Sequence, residues 1–118
     1  MSYDISFKVR VHDTDMYVPV GECYANITWD AREIITHSTG LAWLNERNNG
    51  TCATVIPIIE KGYKKLCDNP KKYWKYESPN GCGTVEKVID FFECILEAWT
   101  DFQFWHFPLV PYATFWIE

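Results

Sequence analysis

Residues 3–11 run Tyr3-Asp4-Ile5-Ser6-Phe7-Lys8-Val9-Arg10-Val11. Apolar side chains take every second position. An extended chain therefore puts Tyr3, Ile5, Phe7, Val9 and Val11 on one face and Asp4, Ser6, Lys8 and Arg10 on the other. That pattern predicts a half-buried β-strand. Asp13-Thr14-Asp15 supplies turn chemistry directly after it, and Met16 to Tyr24 reads as the hairpin partner. Pro19 has no N–H to give a neighbour, so the partner belongs at a sheet edge or carries a bulge.

The far end of the chain has a similar character. Phe102 to Phe107 reads as extended, Pro108 and Pro111 interrupt it, and Tyr112 to Ile117 is rich in aromatic and β-branched residues. The last segment is predicted to return as a strand beside the hairpin. Three helices are expected in between. The first covers about 30–38, with Asp30 as N-cap and Gly40 as its stop. The second covers about 55–67, with Thr54 as cap and Pro57 in the first turn, and has a stripe of Val55, Ile56, Ile59, Tyr63 and Leu66. The third covers about 85–100 behind Thr84. Val85, Val88, Ile89, Phe92, Ile95, Leu96 and Trp99 recur there at helical spacing. Residues 44–51 are expected to form a polar loop and 68–83 a long connection. The expected fold class is α+β: one domain over residues 1–118, in which an N-terminal β-hairpin and a C-terminal strand form a small antiparallel sheet packed on three helices.

At 118 residues the chain holds one domain, large enough to bury a core without a disulfide or metal staple. A net charge of −5 argues against direct nucleic-acid binding, which calls for a basic field. No apolar run is long enough to span a membrane, and the first residues lack a basic or apolar leader pattern. A cytoplasmic location with reduced thiols is expected for Cys23, Cys52, Cys67, Cys82 and Cys94. On that location the two sequons, at Asn26 and Asn49, are chance matches.

No metal site or cofactor is expected. The closest cysteines, Cys82 and Cys94, are twelve residues apart, and His12, His37 and His106 are isolated. Cys82 stands in Asn80-Gly81-Cys82-Gly83-Thr84, just before a helix, where the helix dipole favours a thiolate. A turn that packs a small residue against the helix start accounts for the same residues. The segment is too short for a phosphate loop.

Glu86, Asp90, Glu93, Glu97 and Asp101 follow spacings of four, three, four and four, so they form an acidic ridge along the third helix. Like charges at such spacing cost about 0.2–0.5 kcal/mol per pair. The ridge is a solvated face, a row paired with Lys61, Lys64 and Lys65 of the second helix, or a docking surface for a basic protein. Lys71-Lys72-Tyr73-Trp74-Lys75-Tyr76 either stacks a flat phosphorylated ligand or plugs the domain edge with its rings. Asn26, Thr28, Trp29 and Asp30 suit a small-ligand pocket and suit ordinary capping equally. The candidate ligand set is Asn26, Trp29, Trp74, Asn80 and Cys82.

Four segments taken in order carry a resemblance: Ser2-Tyr3-Asp4-Ile5-Ser6, Asn26-Ile27-Thr28-Trp29, Val55-Ile56-Pro57, and Asn80-Gly81-Cys82-Gly83-Thr84-Val85-Glu86. Together they resemble a group of small bacteriophage and prophage proteins with an N-G-W-G-[TS]-x-E motif and no established activity. The resemblance extends to about residue 100. Cys82 replaces the usual Trp, which weakens a catalytic role for its thiol. The resemblance implies a setting: a phage accessory protein acting in the cytoplasm of a bacterial host.

The leading expectation is a non-enzymatic binding protein that engages a host protein, such as a component of a defence system, through the acidic ridge and exposed aromatics. A small-ligand or nucleotide-signal sponge is the second. A cysteine-dependent enzyme pairing Cys82 with His37 or His106 is the third. A homodimer through the Pro-bearing edge strand or the aromatic tail fits each of them.

Overall fold

The computed structural model describes residues 2–41 and 47–118. The predicted first strand is β1, Ser2–Arg10. Tyr3, Ile5 and Phe7 are buried as the alternation requires, while Val9 is half-buried and Val11 lies beyond the strand in solvent. The hairpin partner is much shorter than 16–24. It forms β2, Tyr17–Pro19, and resumes as β3, Asn26–Thr28. Both lie antiparallel along one edge of β1, Lys8 opposite Pro19 and Tyr3 opposite Ile27. Pro19 is thus on an edge strand, where its missing N–H is harmless.

The first helix does not start on Asp30. The Thr28 hydroxyl accepts from the Asp30 N–H and caps a 3₁₀ turn, Trp29–Ala31, which feeds α1, Arg32–Thr39. Gly40 ends α1 as expected, its N–H bonded to the Thr36 carbonyl. Residues 44–46 lie outside the described residues, but the rest of the predicted polar loop is a strand: β4, Arg47–Thr51. It pairs antiparallel with the C-terminal strand through its backbone, which asks nothing of the side chains, so a polar edge strand leaves no apolar signature.

Next, α2 spans Cys52–Asp68. It begins where β4 ends, because the Cys52 N–H donates to the Ala113 carbonyl in the returning chain. Thr51, not Thr54, is its N-cap residue, and Pro57 falls in the second turn. The long connection contains a 3₁₀ segment, Pro70–Tyr76.

Behind Thr84, whose hydroxyl accepts from the Lys87 N–H, α3 covers Val85–Trp105. It runs well past residue 100. The reason is periodicity: Val88, Phe92, Ile95 and Trp99 are followed at helical spacing by Phe102, which is also buried. The tail predicted as extended is therefore helix, then a 3₁₀ segment Phe107–Tyr112, and only then β5, Thr114–Ile117.

The sheet order is β2-β1-β5-β4, with β3 also on β1. Ile5 faces Ile117 and Phe7 faces Phe115 across β1 and β5. These side chains meet the helices in one core with Ile34, Ile59, Phe92 and Ile95. Phe7 sits edge-on to Trp99 at 5.5 Å and to Phe102 at 5.8 Å, which seats the C-terminal half of α3 on the sheet. On the opposite face Lys8 lies over Trp116 at 4.5 Å and pairs with Glu118.

Candidate functional site

The expected ligand residues do not share one cavity. Asn26 and Cys82 do meet, in a cleft of about 500 Å³ between β3 and the start of α3, with Thr28, Lys87, Asp90 and Phe91. Trp29 lines a different, smaller cleft with Asp30, Arg32 and Tyr76. Asn80 is held by Asp30, its amide donating to the Asp30 carboxylate at 3.0 Å and its oxygen accepting from the Cys82 N–H at 2.9 Å. Trp74 is 55% exposed with Lys71 above it, whereas neighbouring Tyr73 is 4% exposed and plugs the core.

Three of the four resemblance segments converge here for a structural reason. β3 pairs with β1, Asn26 donates to Asp4, and the Trp29 indole N–H donates to the Ser2 carbonyl at 3.1 Å. Gly83 packs directly on the backbone of Asp30 and Ala31. The glycine of the motif lets the chain approach itself.

Cys82 is exposed, and its thiol lies 3.9 Å from the Asn80 carbonyl. No histidine lines its cleft. His37 is stacked on Tyr76 at 3.8 Å. His106 caps the far end of α3, which puts it about 30 Å from Cys82 at 1.5 Å per helical residue. The thiols differ in a measurable way. Burial pushes the Cys52 thiol up to about 12 and the Cys23 thiol up to about 11, from an ordinary 9.0. At pH 8, iodoacetamide followed by peptide mass mapping should modify exposed Cys82 and Cys67 first and Cys52 last. An unfolded thiol ionises above pH 9, and folded Cys52 does not until about 12. Stability should therefore fall as pH rises through that window, and Cys52→Ala should reduce the slope of melting temperature against pH. Equal labelling of all five cysteines in the folded protein would contradict this.

The acidic ridge forms as expected. Glu86, Asp90, Glu93, Glu97 and Asp101 all lie along α3, with Glu86, Glu93, Glu97 and Asp101 on its solvent side or rim and Asp90 beside the Cys82 cleft. The predicted internal partners do not engage it: Lys64 pairs with Glu60 of its own helix at 3.2 Å, and among the described residues no lysine or arginine forms an ion pair with any of the five. Glu93 accepts a hydrogen bond from the Tyr63 hydroxyl at 3.1 Å.

What the sequence did not reveal is how the ridge ends. On a helical projection Phe104 falls in line with the five acids, and Trp105 stands beside it. Phe104 is 73% exposed, Trp105 72%, Phe107 74% and Tyr112 66%. The first two rings meet edge-to-face at 4.8 Å. Beside them Asp101, Trp105 and His106 of the helix end form a cleft of about 250 Å³ with Gly21 and Glu22 from the β2–β3 connection. Two carboxylates and an indole thus surround a space the size of one long side chain. The only clue in the sequence is the run of aromatics continuing the helical period after Asp101.

No protein-family model, curated protein or solved structure matches the chain.

Proposed function

We propose that this chain is a non-enzymatic binding protein that docks on a basic protein surface through the acidic ridge of α3 and the aromatic cluster at its end. The observation that carries this is the continuity of the two features: five carboxylates without a basic partner among the described residues run into rings that are about three-quarters exposed. Either alone is an ordinary surface. A charged row that leads to desolvable aromatic anchors has the anatomy of an interface, with rings at the centre and charge steering the approach. The cleft between Asp101, Glu22 and Trp105 suits an arginine or lysine side chain, whose cation takes the carboxylates and whose stem lies along the indole.

A symmetric dimer through the same rings would bring two like-charged ridges together, which favours a basic partner over a second copy. Within the phage setting that the sequence resemblance implies, the partner is a protein of the bacterial host, and blocking a defence component is the outcome proposed.

The test is capture from bacterial lysate with immobilised protein. Three baits are compared: wild type, Asp90→Lys with Glu93→Lys, and Phe104→Ala with Trp105→Ala. A band retained by wild type and lost from both variants, and released as salt is raised, is the expected result. A partner retained equally by all three baits would refute the proposal.

A further inference from the structure

We infer that the basic stretch from Lys61 to Lys75 is a docking surface for the α3 ridge of a second copy of this chain. Six of the eleven basic residues fall in that stretch, against one acid, Asp68. Lys61, Lys65, Lys71, Lys72 and Lys75 are exposed and form no ion pair among the described residues, whereas Lys64 pairs with Glu60. Trp74 stands among them, more than half exposed, with Lys71 above its ring at 5.8 Å.

These lysines and the acids of α3 lie on different flanks of the helical layer. α2 runs between α1 and α3: Gly62 packs on Ser38 and Thr39 of α1, while Tyr63 beside it donates to Glu93 of α3. The 3₁₀ segment Pro70–Tyr76 sits on the α1 side, where Tyr76 stacks on His37 at 3.8 Å. One chain thus carries two surfaces of opposite charge, each with exposed rings, and among the described residues no ion pair joins them.

The inference rests on the reading of α3 as an interface and names one basic surface that fits it. The cleft of Asp101, Glu22 and Trp105 takes a lysine, and the basic stretch supplies lysines beside an exposed indole. Contact between unlike surfaces is heterologous and avoids the ridge-on-ridge repulsion of a symmetric pair. Each pair keeps a free ridge at one end and a free basic surface at the other, so association continues past two, and the terminal ridge stays open to a host protein. Two chains of net charge −5 repel at a distance. At about 0.15 M salt the screening length is about 8 Å, which removes that repulsion and keeps the contact pairs. At 1 M it is about 3 Å, and the pairs are lost as well.

Sedimentation equilibrium of the full chain at about 0.15 M salt should give a mass that rises with concentration above the 13.9 kDa of one chain and returns to it in 1 M salt. Two variants each neutralise one surface: Lys71→Gln with Lys72→Gln and Lys75→Gln, and Glu86→Gln with Glu97→Gln and Asp101→Asn. Either variant alone should stay at the mass of one chain. Mixed, each supplies the surface that the other lacks, so they should reach twice that mass and nothing larger, a recovery that also shows both to be folded. A wild type that stays monomeric, association that survives 1 M salt, or a lysine variant that still associates would each overturn the inference. Lysate capture is judged separately. Capture by a wild type that does not self-associate overturns this contact alone, whereas self-association without a captured host protein upholds it and removes the host partner.

Discussion

Gly83→Ala should lower the stability of the domain by about 3 kcal/mol, at the upper end of the usual cost of overpacking, and its melting temperature by about 10–15 °C. A Cβ at this position would press into the Asp30 carbonyl oxygen and lie 2.5 Å from its carbon and 2.7 Å from the Ala31 nitrogen. All three are backbone atoms, so no side chain can swing aside. The 3₁₀ turn they belong to is anchored from several directions: the Trp29 indole bonds to β1, Thr28 caps the turn, and Ala31 is fully buried. The other side of the contact is equally tied, since Glu77 accepts from the Val85 N–H at 2.8 Å at the first residue of α3. Relief therefore requires α3 to move off the sheet junction. Gly81→Ala is the control. That residue has a φ of +74° but open space around it, so alanine there meets only left-handed strain of about 1–2 kcal/mol. Thermal melts of the two variants should separate clearly. A Gly83→Ala protein melting within about 2 °C of wild type would contradict the packing described for this junction.

A backbone contact of that kind, between segments fifty residues apart, leaves no periodic trace in a sequence. β1 was legible because strict alternation at period two is the mark of a half-buried strand, and the stripe of α3 was legible over four turns for the same reason at period 3.6. In the tail two signals compete. Phe102 to Phe107 has strand-like composition, yet Phe102 continues the buried helical row from Trp99, and burial against Phe7 decides the outcome. β4 was invisible because an edge strand of Arg47, Asn48, Asn49, Gly50 and Thr51 is specified by its neighbour's backbone. The ridge could be counted from spacing alone. Its continuation into a cleft could not, because Glu22 reaches Asp101 only through the path of the β2–β3 connection along β1. Thr54 resembles a cap, which would put Pro57 in a first turn. The N-cap residue is Thr51, three residues earlier, so Pro57 stands in the second turn.

Glu97→Lys with Asp101→Lys should raise stability while destroying partner capture. In the wild type Glu93, Glu97 and Asp101 repel one another at successive i,i+4 steps. Asp101 also lies close to the negative end of the α3 macrodipole, with no basic residue in the last turn to offset it. Placing lysines at 97 and 101 converts the Glu93 contact into an attractive pair ordered Glu before Lys, and puts positive charge near the helix C-terminus. Neither acid makes a hydrogen bond or ion pair among the described residues that the exchange would break. The sum is a gain of about 0.5–1 kcal/mol at low salt, fading in 1 M salt where the screening length is about 3 Å. Binding moves the other way. The cleft beside Trp105 would then hold a lysine where a partner cation is proposed to sit, and removal of such a pair costs about 2–5 kcal/mol, a loss of at least about 30-fold in affinity. Residues kept for stability lose stability when they are exchanged. A row whose exchange strengthens the fold and removes the partner is held in place by the partner. Melting curves at two salt concentrations, set beside the capture assay, separate the cases: a destabilised variant, or a stabilised one that still captures the same protein, would remove the ridge from the proposed interface.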